Sequence, residues 1–427
     1  MDTGNAAWML TASSLVLLMT PAVAFFYGGM VRAKAILNML MLSVGAMAVT
    51  SIVWTLWGWS IAYAGNDIGG IFGDPATGFL LKDSMVAQNG VFTAAKTSGA
   101  YPGSIDVAFQ LTFAIITVAL ISGALAERIK FSTWMIFVAL WITFDYAPMA
   151  HMVWNGGLLS GKGAISQAIG AAAHDFAGGT VVHINAAVAA LVIVLIIGKR
   201  KGFGKEPIRP HNVPFVMLGA FLLWFGWFGF NAGSAFAANG TAGYAWVSTT
   251  IATAGATLGW LATEKIRSGH FTAVGAASGM VAGLVAITPA ADVVSPLWAM
   301  VLGAIAGVLT CFACGWKFKL GYDDSLDVVG VHGVGGVTGT VLIGLFGEGT
   351  GLLAGGSWRQ LVVQICIAAI AILFSGVVTA IIAFALEKTI GWRVTEAQEV
   401  SGIDLADQGE RAYDFAGTAS SVLKEVK

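Results

Sequence analysis

The sequence predicts an all-α polytopic membrane protein: eleven transmembrane helices, built as two inverted five-helix repeats plus an eleventh helix. Three observations carry this. Of 427 residues, 57% are apolar and only 11% are charged, against about 25% charged in an ordinary soluble domain. Lipid must therefore act as solvent for most of the surface. Apolar runs long enough to span a bilayer, about 20 residues each, recur along the whole chain. The basic residues then fall in alternate gaps between those runs.

The runs lie at about 8–28, 36–64, 105–126, 131–151, 176–198, 213–236, 244–263, 271–289, 294–316, 327–347 and 359–387. The first has no Lys or Arg before Arg32, so it lacks the basic n-region of a signal peptide and reads as a membrane helix. The second and eleventh are longer and are expected to tilt or to project past the lipid. All but four of the 22 Lys and Arg lie in the odd-numbered gaps or the tail; the exceptions are Lys82, Lys96, Lys162 and Arg359. The positive-inside rule then places the N-terminus outside and the C-terminus inside, as an odd number of crossings requires.

The expected division is a membrane domain at 1–392, with repeats at about 8–198 and 213–347 and the eleventh helix at 359–387, and a cytoplasmic regulatory tail at 393–427. Asn66–Gly103 reads as an external loop and Gly198–His211 as a basic cytoplasmic one. The tail carries Glu396, Glu399, Asp404, Asp407, Glu410 and Asp414. It is too acidic to favour an anionic lipid surface and reads as a docking element. A net charge of −1 argues against a nucleic-acid partner. Cys311, Cys314 and Cys366 all sit in apolar runs and read as packing residues, so no metal and no cofactor is expected.

The repeat shows in two histidines. Asp175 stands eight residues before His183, and Asp324 stands eight before His332. Five crossings separate the copies, so they run in opposite directions, Asp175 at the outer face and Asp324 at the inner. Inverted repeats of this kind hold their substrate path near the bilayer midplane. Eight helical residues rise about 12 Å and half a hydrocarbon core is about 15 Å, so both imidazoles are expected to reach the middle. Ionisable residues at that depth are costly and mark functional sites. The remaining histidines, His151, His174, His211 and His270, read as solvated residues at helix ends and loops.

Five segments carry a resemblance: Ala126–Phe131 (AERIKF), His151–Trp154 (HMVW), Asp175–Asn185 (DFAGGTVVHIN), Gly226–Ser234 (GWFGFNAGS) and Asp327–Val334 (DVVGVHGV). They resemble the hallmark segments of ammonium transporters of the Amt/Mep/Rh family, bacterial Amt type, and the likeness runs from about Trp8 to Tyr413. It implies a transporter rather than an enzyme, taking up ammonium, with methylammonium as an analogue, across the cell membrane. It also implies a homotrimer with one pore in each subunit. By resemblance, Trp154, Phe113 and Ser234 form an outer substrate-binding site with Asp175 beneath it. Phe113 and Phe230 form a stacked gate, Trp227 a pore wall, and His183 with His332 the midpore pair. The tail segments Gly391–Val394, Gly402–Leu405 and Gly409–Tyr413 resemble a family tail that contacts a neighbouring subunit. They imply a PII signalling protein as a partner at the cytoplasmic face. Ala406 stands where plant relatives carry a regulatory threonine.

Elementary physics agrees with those roles. Ammonium over the face of Trp154 gains cation–π attraction of about 2 kcal/mol once desolvated, and the Ser234 hydroxyl accepts one N–H. Carrying the bare cation further costs tens of kcal/mol on a Born estimate. The expectation is that ammonium loses its proton, that ammonia crosses an apolar pore past the twin histidines, and that a proton relay makes transport electrogenic. Potassium has no proton to give up. Three rivals stay open on the sequence: a passive Rh-like ammonia or gas channel, an ammonium sensor with little flux, and a haem protein using His183 and His332 as axial ligands.

Overall fold

The computed structural model describes residues 1–413 except 89–90, 95–96, 99 and 207. Lys96 and the tail from Asp414 onward, Lys424 and Lys427 included, lie outside the described residues. Among the described residues eleven long helices dominate: α1 (Thr3–Met30), α2 (Ile36–Gly58), α3 (Gly103–Leu125), α4 (Phe131–Trp154), α5 (Gly179–Ile197), α6 (Val213–Ala232), α7 (Gly240–Ser268), α8 (Ala273–Ala290), α9 (Pro296–Leu320), α10 (Val329–Phe346) and α11 (Trp358–Thr389). All except α7 are long and apolar enough to cross a membrane.

The seventh predicted run is thus a long helix of mixed character. At 29 residues α7 measures about 44 Å, ample for a crossing. Its Thr, Ser and Gly residues and its charged C-terminal turn with Lys265 and Arg267 dilute its hydropathy. The same small residues let α9 approach it. A Cβ on Gly303 would lie 2.1 Å from the Ala252 carbonyl oxygen, and one on Gly307 would lie 2.1 Å from that of Ala256. This G-x-x-x-G face replaces side-chain packing with backbone contact, which is how helices associate where lipid removes the hydrophobic drive.

Several helices carry π-type turns: Trp54–Gly58 in α2, Ile142–Tyr146 in α4, Gly179–Ile184 in α5, Phe228–Ala232 in α6 and Val329–Gly333 in α10. Such bulges concentrate at functional sites. Here His183, Phe230 and His332 each lie in one. Among the described residues, the long loop between α2 and α3 carries three short antiparallel strand pairs, of which Asp67–Ile68 paired with Phe72–Gly73 covers the end of α4.

The relative direction of α5 and α10 follows from contacts. A Cβ on Gly179 would meet the Thr340 hydroxyl, one on Gly336 would meet His183 Cβ, and one on Gly333 would meet Ala187 Cβ. Ascending α5 therefore descends α10, and the two helices pack antiparallel.

The tail up to Tyr413 lies on its own chain. Asp404 accepts from the Leu37 (3.1 Å) and Asn38 (2.8 Å) amides, and Asp407 from that of Phe131 (3.0 Å). These carboxylates cap the first turns of α2 and α4, whose free N–H groups and positive dipole ends favour an anion. Glu399 accepts from the Lys201 amide at 2.7 Å and pairs with Arg393. Replacing Asp404 with Ala should cost about 1 kcal/mol of local stability. Faster hydrogen exchange at the Leu37 and Asn38 amides checks this; unchanged exchange would assign the capping to water.

Beneath the tail, Arg128 meets Asp323 at 2.6 Å, Arg200 meets Asp323 at 2.9 Å and Glu127 at 3.2 Å, and Arg32 meets Glu127 at 2.7 Å.

Candidate functional site

Helix α5 starts where Asp175 ends the preceding loop. Its Oδ1 accepts from the amides of Gly178 (2.8 Å) and Gly179 (2.7 Å), and its Oδ2 from the Thr180 amide (2.8 Å) and the Thr180 hydroxyl. Gly178 has φ +120, a conformation open to glycine and strained for other residues. Asp324 repeats the arrangement for α10, accepting from the amides of Val328 (3.1 Å) and Val329 (2.7 Å). Both helices thus begin from a capped carboxylate, run through a π-type turn, and present a histidine.

The two imidazoles meet. His183 Nδ1 and His332 Nδ1 are 3.2 Å apart, with ring centroids at 5.3 Å and planes 25° apart. One Nδ1 must donate and the other accept, so a single hydrogen lies between them. Both residues are almost completely buried. His183 Nε2 has no protein partner among the described residues.

A column of aromatic rings leads from this pair to the face that carries the N-terminus. Trp227 stacks on His183 at 5.5 Å, and its Nε1 donates to the Thr288 hydroxyl at 2.8 Å. Phe230 lies 6.1 Å from His183 and stacks on Phe113 at 4.1 Å and 27°. Trp154 stands edge-on to Phe113 at 6.0 Å, held by a hydrogen bond from its Nε1 to the Asp175 carbonyl at 2.9 Å. The Ser234 hydroxyl donates to the Phe230 carbonyl at 2.8 Å, which leaves its oxygen free to accept.

Two spaces result. Trp154, Phe113 and Ser234 line a vestibule of about 240 Å³ together with Tyr63, Gln110 and Phe236. Below the Phe113–Phe230 stack lies a cavity of about 10 Å³ walled by His183, His332, Trp227, Phe230 and aliphatic side chains. That is room for one water-sized molecule. No haem plane fits there, and the direct contact between the rings leaves no gap for one, so the haem reading is set aside.

All eight residues singled out in the sequence lie along this line. Of the four expected at the outer binding site, Asp175 alone does not line the vestibule, because its carboxylate is engaged by the start of α5. Three of the four histidines expected to be solvated need correction. His151 is not solvated: the Asp67 hairpin covers it, with Nε2 2.8 Å from Asp67 Oδ1 and Nδ1 3.3 Å from the Ala62 carbonyl oxygen. His174 and His211 are likewise held, His174 by Asp292 at 2.8 Å and His211 by the Val31 carbonyl at 2.8 Å. Burial pushes the His174 imidazole down, but the Asp292 carboxylate outweighs it and leaves the group above its ordinary range. Only His270 is exposed as expected.

Other residues of the site escaped the sequence reading. Gln110, one helical turn before Phe113, accepts from the Tyr63 hydroxyl at 2.7 Å and faces the vestibule. A polar amide in an apolar run at that spacing was the available signal. Thr288, which orients Trp227, comes from α8, and nothing in the sequence links the two.

The Ammonium Transporter Family model matches residues 7–413. An ammonium transporter of Mycobacterium bovis is 52% identical, with 99% of this chain and 92% of that protein covered. The crystal structure of Candida albicans Mep2 superposes with a TM-score of 0.84 at 32% identity, covering 93% of this chain and 88% of that one. A structure described as a sensor Amt protein superposes at 0.85 with 28% identity, covering 95% and 98%. With ten apolar spans and these relatives, this is a multi-pass protein of the cell membrane, and the chain belongs to the ammonium transporter family.

Proposed function

We propose that the chain takes up ammonium by binding the cation in the Trp154 vestibule, removing its proton and conducting ammonia past His183 and His332. The reading takes α7 as the seventh of eleven crossings, with the N-terminus and the vestibule outside and the tail in the cytoplasm. One observation carries it: paired imidazoles, in Nδ1 contact at 3.2 Å, wall a space of about 10 Å³ at the end of an aromatic column.

The chemistry follows from that space. An ion entering it leaves its hydration shell at the stacked Phe113 and Phe230, and apolar walls return little of the several kcal/mol that desolvation costs. Ammonia is neutral and fits. The unpartnered Nε2 of His183 offers it a donor or an acceptor, according to tautomer. The shared hydrogen between the Nδ1 atoms gives a separated proton a route through the pair, so transport is electrogenic. Potassium meets the same barrier with no proton to shed.

Ammonium-evoked current on solid-supported membranes, compared with potassium and methylammonium, tests this. Selective current supports it. Ammonia flux without charge movement would favour the passive channel, and saturable binding without flux the sensor. Trp154→Ala should raise the half-saturation concentration about 30-fold, the equivalent of losing about 2 kcal/mol of cation–π attraction, with little change in maximal rate. An unchanged half-saturation would remove Trp154 from the binding site.

A further inference from the structure

Behind His183, away from the pore, lies a buried polar cluster that the transport reading does not use. Asp145 lies in the π-type turn of α4 and is completely buried. The Thr379 hydroxyl of α11 approaches its Oδ2 at 3.4 Å and itself accepts from Trp141 Nε1 at 3.0 Å. Asn185 of α5 faces the same carboxyl and is also completely buried. Ser375 donates to the Asn185 carbonyl at 3.1 Å. Three atoms are left over: Asp145 Oδ1, Asn185 Oδ1 and Asn185 Nδ2 have no protein partner among the described residues.

Those three atoms define the chemistry. An ionised Asp145 only accepts, so it satisfies the Asn185 amide nitrogen and leaves the Asn185 oxygen orphaned beside a second acceptor. A carboxylic acid both donates and accepts. Its Oδ1 hydroxyl donates to Asn185 Oδ1, and its Oδ2 accepts from Asn185 Nδ2 while keeping the Thr379 contact. All three atoms then find partners, as buried polar groups almost always do. No Lys, Arg or His is paired with Asp145 among the described residues, and an unpaired carboxylate at this depth would be expensive.

We infer that Asp145 is a protonated carboxylic acid paired side by side with Asn185, and that this pair is a positioning element for His183. Asn185 follows His183 by two residues, so on a helix it points away from the pore. The pair with Asp145, and the Ser375 bond to its carbonyl, tie α5 to α4 and α11 immediately past the π-type turn that aims the imidazole. That turn forgoes regular helical bonding and needs such outside support. The effect on transport rests on the twin-histidine reading, whereas the protonation state does not.

Infrared spectroscopy of the full-length protein carrying isotope-labelled aspartate, at neutral pH, should show a protonated-carboxyl carbonyl band that is lost in Asp145→Asn. Uptake per folded protein in proteoliposomes supplies the second arm. An amide reproduces the donor and acceptor of the acid, so Asp145→Asn should stay within about twofold of wild type. Asp145→Ala should lower maximal uptake about tenfold with half-saturation unchanged, because the vestibule is untouched. Absence of the acid band, dependence of it on sodium, or a loss in Asp145→Asn as deep as in Asp145→Ala would each overturn the inference. If Asp145→Ala fails to fold, the infrared arm and Asp145→Asn still decide. Wild-type protein without any uptake would instead overturn the transport reading and leave the infrared result standing.

Discussion

Exchange of His183 or His332 for alanine should collapse the ratio of ammonium to potassium current towards one, or abolish current altogether. Each exchange removes one partner of the 3.2 Å Nδ1 contact and strands the other. A buried imidazole nitrogen left without a partner costs about 1–3 kcal/mol, which alone slows a single-file step by about 5- to 150-fold. The truncation also widens a space of about 10 Å³ by most of an imidazole, enough for additional water. Water carries hydrated cations, so discrimination fails together with rate. Current recorded from both variants on supported membranes checks this. Normal selective uptake by both would end the midpore reading, whatever happens at the vestibule.

Thermal unfolding in detergent should show the largest stability loss for Asp323→Ala. Asp323 is sandwiched between Arg128 and Arg200, with both partners' side chains nearly inaccessible. Removing it leaves two buried guanidinium groups facing each other. Breaking a buried pair in this way costs about 3–5 kcal/mol. Arg128 is the more vulnerable of the two, since burial already pulls it down to about 10. A loss no greater than that of an exposed pair, about 0–1 kcal/mol, would show that water reaches the network.

The same cluster sets a pH dependence. Burial alone would push the Asp323 and Glu127 carboxyls up. Arg200 with Arg128 at Asp323, and Arg200 with Arg32 at Glu127, outweigh burial and hold both below the usual carboxylate range. A folded-state value below the unfolded one means that the contribution is complete above the unfolded value, about 4, and is lost as pH falls through the folded one. Stability should therefore be flat around neutrality and fall in acid, and Asp323→Asn should flatten part of that fall. Scans of unfolding temperature against pH check it.

Much of this architecture was legible because bilayer thickness imposes length and lipid imposes composition. The runs at 105–126 and 359–387 became α3 and α11 with ends moved by only a few residues. The spacing of Asp175 to His183 and of Asp324 to His332 survives as a cap followed by an imidazole in both helices. The seventh run was harder. Ala252, Gly255, Ala256 and Gly259 of α7 face α9 at backbone distance, Thr253 faces Gly283 of α8 and Thr249 accepts from Asn231 of α6; these small and polar residues lower its hydropathy, and only the partner helices explain them. The π-type turns were invisible, since nothing in a run such as GTVVHI sets it apart from an ordinary helix. His151 was misread because Asp67, which covers it, lies in a loop 84 residues away. Trp154, Phe113, Phe230 and Ser234 came from resemblance alone, because three separate helices have to converge before they form a site.

The caps at Asp175 and Asp324 also shape the field along the conduit. α5 and α10 each aim an N-terminal end, carrying roughly half a positive charge, at one entrance. Left bare, both ends would repel an approaching cation. Each carboxylate, held by backbone amides, cancels the charge where it arises; at the Asp175 end a cation then meets the aromatic faces of Trp154 and Phe113, whereas at the Asp324 end Lys317, paired with Asp327, stands beside the cap. Neutralising Asp175 as asparagine would leave the vestibule end electropositive while the geometry of the rings changed little.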